Sequence, residues 1–171
     1  MSVINDYLVL KTTHGISLIE LYRDKAPKHV ERIMELAEKG FYNDLKFHRV
    51  IEGFMAQTGC PDGTGRGGSQ LPNLKAEFND LHHARGIVSM ARAQDPNSAN
   101  SQFFIMFQAA GYLDNQYTAF GKVIKGMDKI DLIKKGQAPN GTNFDQEGPD
   151  KIIELYIPNQ ETLAELLALT S

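Results

Sequence analysis

The order in which hydrophobic periods change along this 171-residue chain limits its fold more than any other feature. Two β-branched and aromatic runs, 7–12 and 16–22, meet across Thr13-His14-Gly15, where glycine allows a positive φ, so the chain opens as an antiparallel hairpin. At Pro27 the period lengthens. Val30, Ile33, Met34 and Ala37 recur at helical spacing, the proline suits a first turn and Gly40 supplies the stop. Further strand-like runs follow at 46–51, 54–58, 86–91, 102–107, 119–123 and 151–157. They are interrupted by an irregular stretch, 59–84, and by a short helical stripe of Met127, Ile130 and Ile133 closed by Gly136. Helices so placed do not alternate with strands, which excludes a doubly wound parallel sheet. The expected architecture is mainly β: a closed eight-stranded antiparallel barrel, free of exposed edges and capped by two α-helices that plug its ends.

Beyond Pro158, Asn159 or Thr162 can cap a short helix with Leu163, Leu166 and Leu167 on one face. The chain therefore reads as one domain over 1–158 and a C-terminal tail over 159–171. Its net charge is −3 with pI near 5.9, and no block of Lys or Arg gathers anywhere, so nucleic acid is not expected as a partner. One cysteine, Cys60, cannot form an internal disulfide, residues 1–6 lack the basic and apolar regions of a signal peptide, and no apolar run has membrane-spanning length. Together these point to the cytoplasm, away from any membrane; with no dimer surface in the pattern, a monomer is expected.

Two stretches set polar side chains among large apolar ones. In Phe47-His48-Arg49-Val50-Ile51-Glu52-Gly53-Phe54-Met55-Ala56-Gln57, an arginine and a glutamine stand in apolar company, which calls for a pairing or a use. Ser89-Met90-Ala91-Arg92-Ala93 and Ser101-Gln102-Phe103-Phe104-Ile105-Met106-Phe107 have the same character, so the two describe one apolar cleft with a few polar donors. Other motifs carry less. Gly63-Thr64-Gly65-Arg66-Gly67-Gly68 satisfies G-x-G-x-x-G but continues as loop where a dinucleotide site needs a helix. His48, His82 and His83 lack metal-ligand spacing and read as surface or packing residues, as Cys60 reads as a small buried or loop residue. No metal or cofactor is implied.

The chain resembles the cyclophilins, the cyclosporin-type peptidyl-prolyl cis/trans isomerases. The resemblance rests on Phe47-His48-Arg49-Val50-Ile51, Gly53-Phe54-Met55-Ala56-Gln57, the glycine-rich run 63–68, Ser101-Gln102-Phe103-Phe104-Ile105 and Phe120-Gly121-Lys122-Val123, in order and at family spacing. It covers about 7–157 and implies an eight-stranded antiparallel barrel with two helices, rotation about X-Pro peptide bonds, and a role in protein folding on unfolded or partly folded chains. Arg49 is then the catalytic arginine. Phe54, Met55, Phe104 and Leu113 line the pocket for the substrate proline, and Gln57 and Gln102 orient the peptide. Ala91, Arg92 and Ala93 form an edge that pairs with the substrate backbone, and Gly65 borders the groove. Tyr112 and Tyr117 stand where well-studied eukaryotic members have tryptophan and histidine. Because that indole N–H donates to bound cyclosporin, Tyr112 implies weakened drug binding. Arg92 in place of an asparagine, and a longer 95–101 loop, resemble the bacterial branch, while Cys60 replaces a usual aspartate. The alternative reading is a proline-peptide binding module or holdase chaperone whose turnover is incidental.

Overall fold

The computed structural model describes residues 6–170, so the segment read above as lacking a leader, apart from Asp6, lies outside the described residues, as does Ser171. Among the described residues, β1 (Asp6–Thr12), β2 (Gly15–Leu21), β3 (Arg49–Ile51), β4 (Met55–Thr58), β5 (Ile87–Met90), β6 (Phe103–Met106), β7 (Thr118–Lys125) and β8 (Glu154–Tyr156) form one antiparallel sheet in the order β3-β4-β6-β5-β7-β2-β1-β8. The fold is mainly β, with the sheet curled on itself as expected. The ladder of named strands is open between β3 and β8. The preceding residues bridge that gap: Phe47 N–H donates to Asp150 O and Ile152 N–H to Leu45 O, both at 2.8 Å, beside a Lys46–Lys151 bridge. Residues 46–48 and 151–153, read above as strand, thus serve closure rather than the main ladder.

Side-chain alternation sorts the sheet residues into two apolar sets. Val50, Ala56, Phe103, Ile105, Val88 and Met90 point inward with Leu8, Leu10, Ile19, Leu21 and Phe120. Helix α1 (Pro27–Glu38) adds Val30, Ile33, Leu36 and Ala37 to this core. Helix α2 (Met127–Asp131) is shorter than its stripe suggested, yet Ile130 within it and Ile133 beyond it are fully buried. Outward, Met55, Phe104, Met106, Ile87 and Ala119 form a second cluster with Ala110 and Leu113. Sequence alternation therefore builds two cores, one inside the barrel and one on its outer face.

The irregular stretch 59–84 is pinned by polar contacts. Arg32 on the inner face of α1 donates to Pro72 O at 2.5 Å and Asn100 O at 3.2 Å. Asn100 Oδ1 accepts Ser69 N–H at 2.8 Å, and Asn79 Nδ2 donates to Ala119 O at 2.9 Å. Helix α1 has no side-chain cap from its own N-cap residue, Ala26. Instead the Glu77 carboxylate accepts the backbone N–H groups of Lys28 and His29 at 3.2 and 2.9 Å and meets His29 Nδ1 at 2.6 Å. A remote anion thus satisfies donors that every helix start leaves open and complements the helix dipole.

Helix α3 (Gln160–Leu167) forms where expected, with Asn159 Oδ1 accepting Thr162 N–H at 2.8 Å, but none of its residues is buried. Among the described residues no helix is long and apolar enough to cross a membrane. Replacing Glu77 by Ala should cost about 1–3 kcal/mol, because it strands two helix N–H groups and a buried imidazole. Urea denaturation of the variant checks this; an unchanged midpoint would remove Glu77 as the cap.

Candidate active site

Strand register aligns the polar residues picked out from the sequence. Arg49 on β3 lies opposite Gln57 on β4, Gln57 opposite Phe104 on β6, and Phe104 opposite Ser89 on β5. This row crosses the outer face of the sheet, since Val50 between Arg49 and Ile51 is fully buried on the inner one. Arg49 Nε donates to Asn140 O at 3.2 Å and Nη1 to Gln57 Oε1 at 3.4 Å, while Nη2 has no acceptor among the described residues. Gln57 Nε2 donates to Gln102 Oε1 at 2.9 Å, and Gln102 Nε2 to Gly65 O and Gly67 O at 3.0 and 2.9 Å. A guanidinium is thereby held by two amides and the glycine-rich loop.

That loop is built around Cys60. The thiol is fully buried; its sulfur accepts the N–H groups of Gly65 and Gly67 at 3.2 and 3.3 Å and donates to Asp62 Oδ1 at 3.0 Å. Gly65 has φ +85°, which explains glycine there. The loop continues as loop and not as helix, as the sequence indicated.

Two adjoining cavities occupy this face. The first, about 270 Å³, has a floor of Met55, Phe104 and Leu113, a wall of Phe54, Tyr112 and Tyr117, and Arg49, Gln57, Ala91 and Arg92 at its rim. Phe54 and Met55 both face it despite being neighbours. Phe54 lies in the turn before β4, with its N–H bonded to Ile51 O at 3.0 Å, so strand alternation does not bind it. Phe104 packs edge-on against Tyr117 at 5.7 Å, and the Arg92 guanidinium lies 4.6 Å over the Tyr117 ring. Tyr112, 72% exposed, stands 6.2 Å from the Phe54 ring. The second cavity, about 610 Å³, shares Gln57, Ala91 and Arg92 with the first and continues past Ala93, Gln102, Gly65 and Arg66. Every candidate site residue therefore borders one of these two joined spaces. At the edge 91–93, Ala91 N–H goes to Gln102 O and Ala93 N–H to Ser98 Oγ, both at 2.9 Å, and Arg92 N–H has no acceptor among the described residues.

His83 is a packing residue of unusual reach, which its sequence neighbours did not disclose. Its buried ring stacks on Phe104 from behind the first cavity, centroids 6.2 Å apart. Nε2 meets Ser89 Oγ at 2.8 Å and Nδ1 meets Asp114 Oδ1 at 2.9 Å. His83 N–H donates to the same carboxylate at 2.7 Å, and His83 O accepts Ala110 N–H at 2.8 Å. Hydrogen bonds from His82 and from His83 N–H pull the Asp114 carboxyl down to about 2. One imidazole thus references β5, Phe104 and the 3-10 turn Gly111–Leu113 to each other. His82, by contrast, has an 86% exposed side chain. Asn140 O, which turns the Arg49 guanidinium, was equally invisible, being a backbone atom distant in sequence.

Rim arginine, apolar niche and glycine-rich wall thus stand together on one face of an eight-stranded sheet, as the resemblance to the cyclophilins implied. Comparison with known proteins agrees: the profile of the family described as "Cyclophilin type peptidyl-prolyl cis-trans isomerase/CLD" matches residues 7–156, and the chain belongs to that family. A Brucella suis protein named "Probable peptidyl-prolyl cis-trans isomerase" is 50% identical over 162 residues, covering 88% of this chain and 81% of its own. A Helicobacter pylori peptidyl-prolyl cis-trans isomerase is 44% identical over 133 residues, covering 76% of this chain and 81% of its own. Among solved structures, a Cryptosporidium parvum cyclophilin-type isomerase crystallised in the presence of the dipeptide Ala-Pro has a TM-score of 0.81 at 30% identity, covering 90% of this chain and 99% of that one.

Burial lowers the pKa of His29, His48 and His83 from the ordinary 6.5, and the unpartnered buried nitrogens of His29 and His48 agree with that direction. The unfolded chain takes up these protons as pH falls through about 6.5 while the native state resists, so their contribution is complete above that pH and lost below it. A lower melting temperature at pH 5.5 than at pH 7.5 is expected in calorimetry, and equal values would contradict the neutral burial of these rings. His83→Ala should remove about 1–3 kcal/mol in denaturant unfolding, since it leaves the buried Ser89 hydroxyl without its partner and takes away the ring packed behind Phe104.

Proposed function

We propose that Arg49 catalyses rotation about X-Pro bonds by donating to the prolyl nitrogen of the twisted amide, with the proline ring in the first cavity. The barrier, about 18–20 kcal/mol, arises from amide resonance. In the planar amide the nitrogen lone pair is delocalised and accepts no hydrogen bond. On twisting, the nitrogen pyramidalises and its lone pair localises. A donor at that point stabilises the transition state alone, which is the condition for acceleration. Guanidinium suits the role because it keeps its charge at any working pH and carries N–H groups in a fixed fork. The carrying observation is the Nη2 group of Arg49, without an acceptor among the described residues at the rim of an apolar niche while Nε and Nη1 are engaged.

Phe54, Met55, Phe104 and Leu113 exclude water from the ring and favour the less polar twisted amide. Gln57 and Gln102 hold the flanking peptide, and Arg92 N–H within 91–93 pairs with its backbone as a short added strand. The rotating bond thereby has one fixed side and one free side. No covalent intermediate or cofactor enters. The isomerase domain is assigned to 1–158 with 159–171 as an appended tail. The chain acts as a monomer in the cytoplasm on proline-containing segments of folding proteins, and Tyr112 weakens cyclosporin binding because its phenol cannot place a donor as the indole does.

One aimed donor in a dry site is worth about 2.7–4 kcal/mol, so Arg49→Ala should lower kcat/KM on a short X-Pro peptide by roughly a hundred- to a thousandfold. Unchanged turnover would sink the assignment. Loss of turnover with peptide affinity retained separates catalysis from a holdase role. The rate should also be flat between pH 7 and 8.5, because the proposed chemistry moves no proton and the buried histidines stay neutral.

A further inference from the structure

Charge is unevenly placed around the two joined cavities. The chain carries a net −3, yet no Asp or Glu lines either space, while Arg49, Arg66 and Arg92 do. Arginines elsewhere are matched: Arg23 pairs with Asp6 and Arg85 with Asp131, each at 2.8 Å or closer, and buried Arg32 is held by backbone carbonyls. The three at the cavities lack a carboxylate among the described residues. Arg92 is oriented by Gln116 O, Ala93 O and Gln94 O at 2.7–3.2 Å, which fixes its direction without neutralising it. The side chain of Arg66 has no partner among the described residues. The nearest acids in sequence line neither cavity and are engaged locally: Asp62 accepts from Thr64 and Cys60, and Asp95 from Asn97 N–H, each within its own loop.

We propose that the second cavity selects substrates by charge, favouring peptides with an Asp or Glu side chain one to three residues from the proline, on the side lying over Arg66 and Arg92. This rests on the isomerase reading of the first cavity. The shared wall of Gln57, Ala91 and Arg92 means that a chain whose proline fills the first space passes directly into the second. At about 3.8 Å per residue, the neighbouring side chains fall within it. There a carboxylate meets two uncompensated guanidinium groups and a wall of amide, hydroxyl and glycine backbone, whereas a lysine meets like charge. Exposed pairs are individually weak, and two acting together give about a three- to tenfold effect on KM.

Exchange NMR on pentapeptides with a central proline, carrying Glu, Gln or Lys in turn at each flanking position, tests this with the full chain. Expected is one side of the proline on which Glu lowers KM about three- to tenfold against Gln and Lys raises it. The gap should shrink at high salt, and Arg66→Glu should reverse the order. Arg66 is exposed and unpartnered, so its replacement leaves folding contacts intact. Equal KM for the three residues at every position, or a Glu preference untouched by both salt and Arg66→Glu, overturns the proposal. Peptide affinity is read in parallel by chemical-shift titration. Absence of turnover then removes the isomerase reading, while the order of affinities still decides the charge preference.

Discussion

Everything at the site depends on the two-residue period of strands β3, β4, β6 and β5 and on the register that stacks them. Because Val50, Ala56, Ile105 and Val88 must be inside, Arg49, Gln57, Phe104 and Ser89 are forced outside into one row. A one-residue slip of any strand would carry its working residue into the core and a core residue into water. The hydrophobic demand that folds the barrel is therefore also what aims the guanidinium. No separate device positions it; the amides and the loop only refine its orientation.

Refinement comes from polar contacts that run between distant parts of the chain. Arg49, Gln57, Gln102, Gly65 and Gly67 are linked by side-chain amides of fixed geometry, and the loop is held in turn by the Cys60 sulfur. Behind the apolar niche, His83 does the equivalent for Phe104 and the turn bearing Leu113. Buried polar groups of this kind are costly unless satisfied, and once satisfied they specify one arrangement. The niche is thus lined by apolar atoms but located by hydrogen bonds.

Much of this was legible in the chain itself. The hairpin at 13–15, the helix opened by Pro27 and the alternation around Arg49 and Phe104 declare themselves through local period, and the family motifs collect the site residues. Contacts made by backbone atoms or by loops were not legible. Nothing near Asn140 announces that its carbonyl turns Arg49, and nothing near Glu77 announces that it starts α1, 48 residues away from His29. The ends of β3 and β8 were misjudged for the same reason: residues 46–48 and 151–153 have strand composition, but bridging the curled sheet takes them out of its main ladder.

The treatment of the β3 border has a bearing on the company this molecule keeps. Val50 N–H is taken by Gly141 O and Val50 O by Gly136 N–H, both at 2.9 Å, so the outermost strand has no vacant rung there. Gly136 and Gly141 permit that contact, since a methyl group on either would collide with backbone oxygen. An open strand edge is a template onto which a stray extended segment can pair. With both backbone polar groups of Val50 taken, the β3 border offers such a segment no rung at that position.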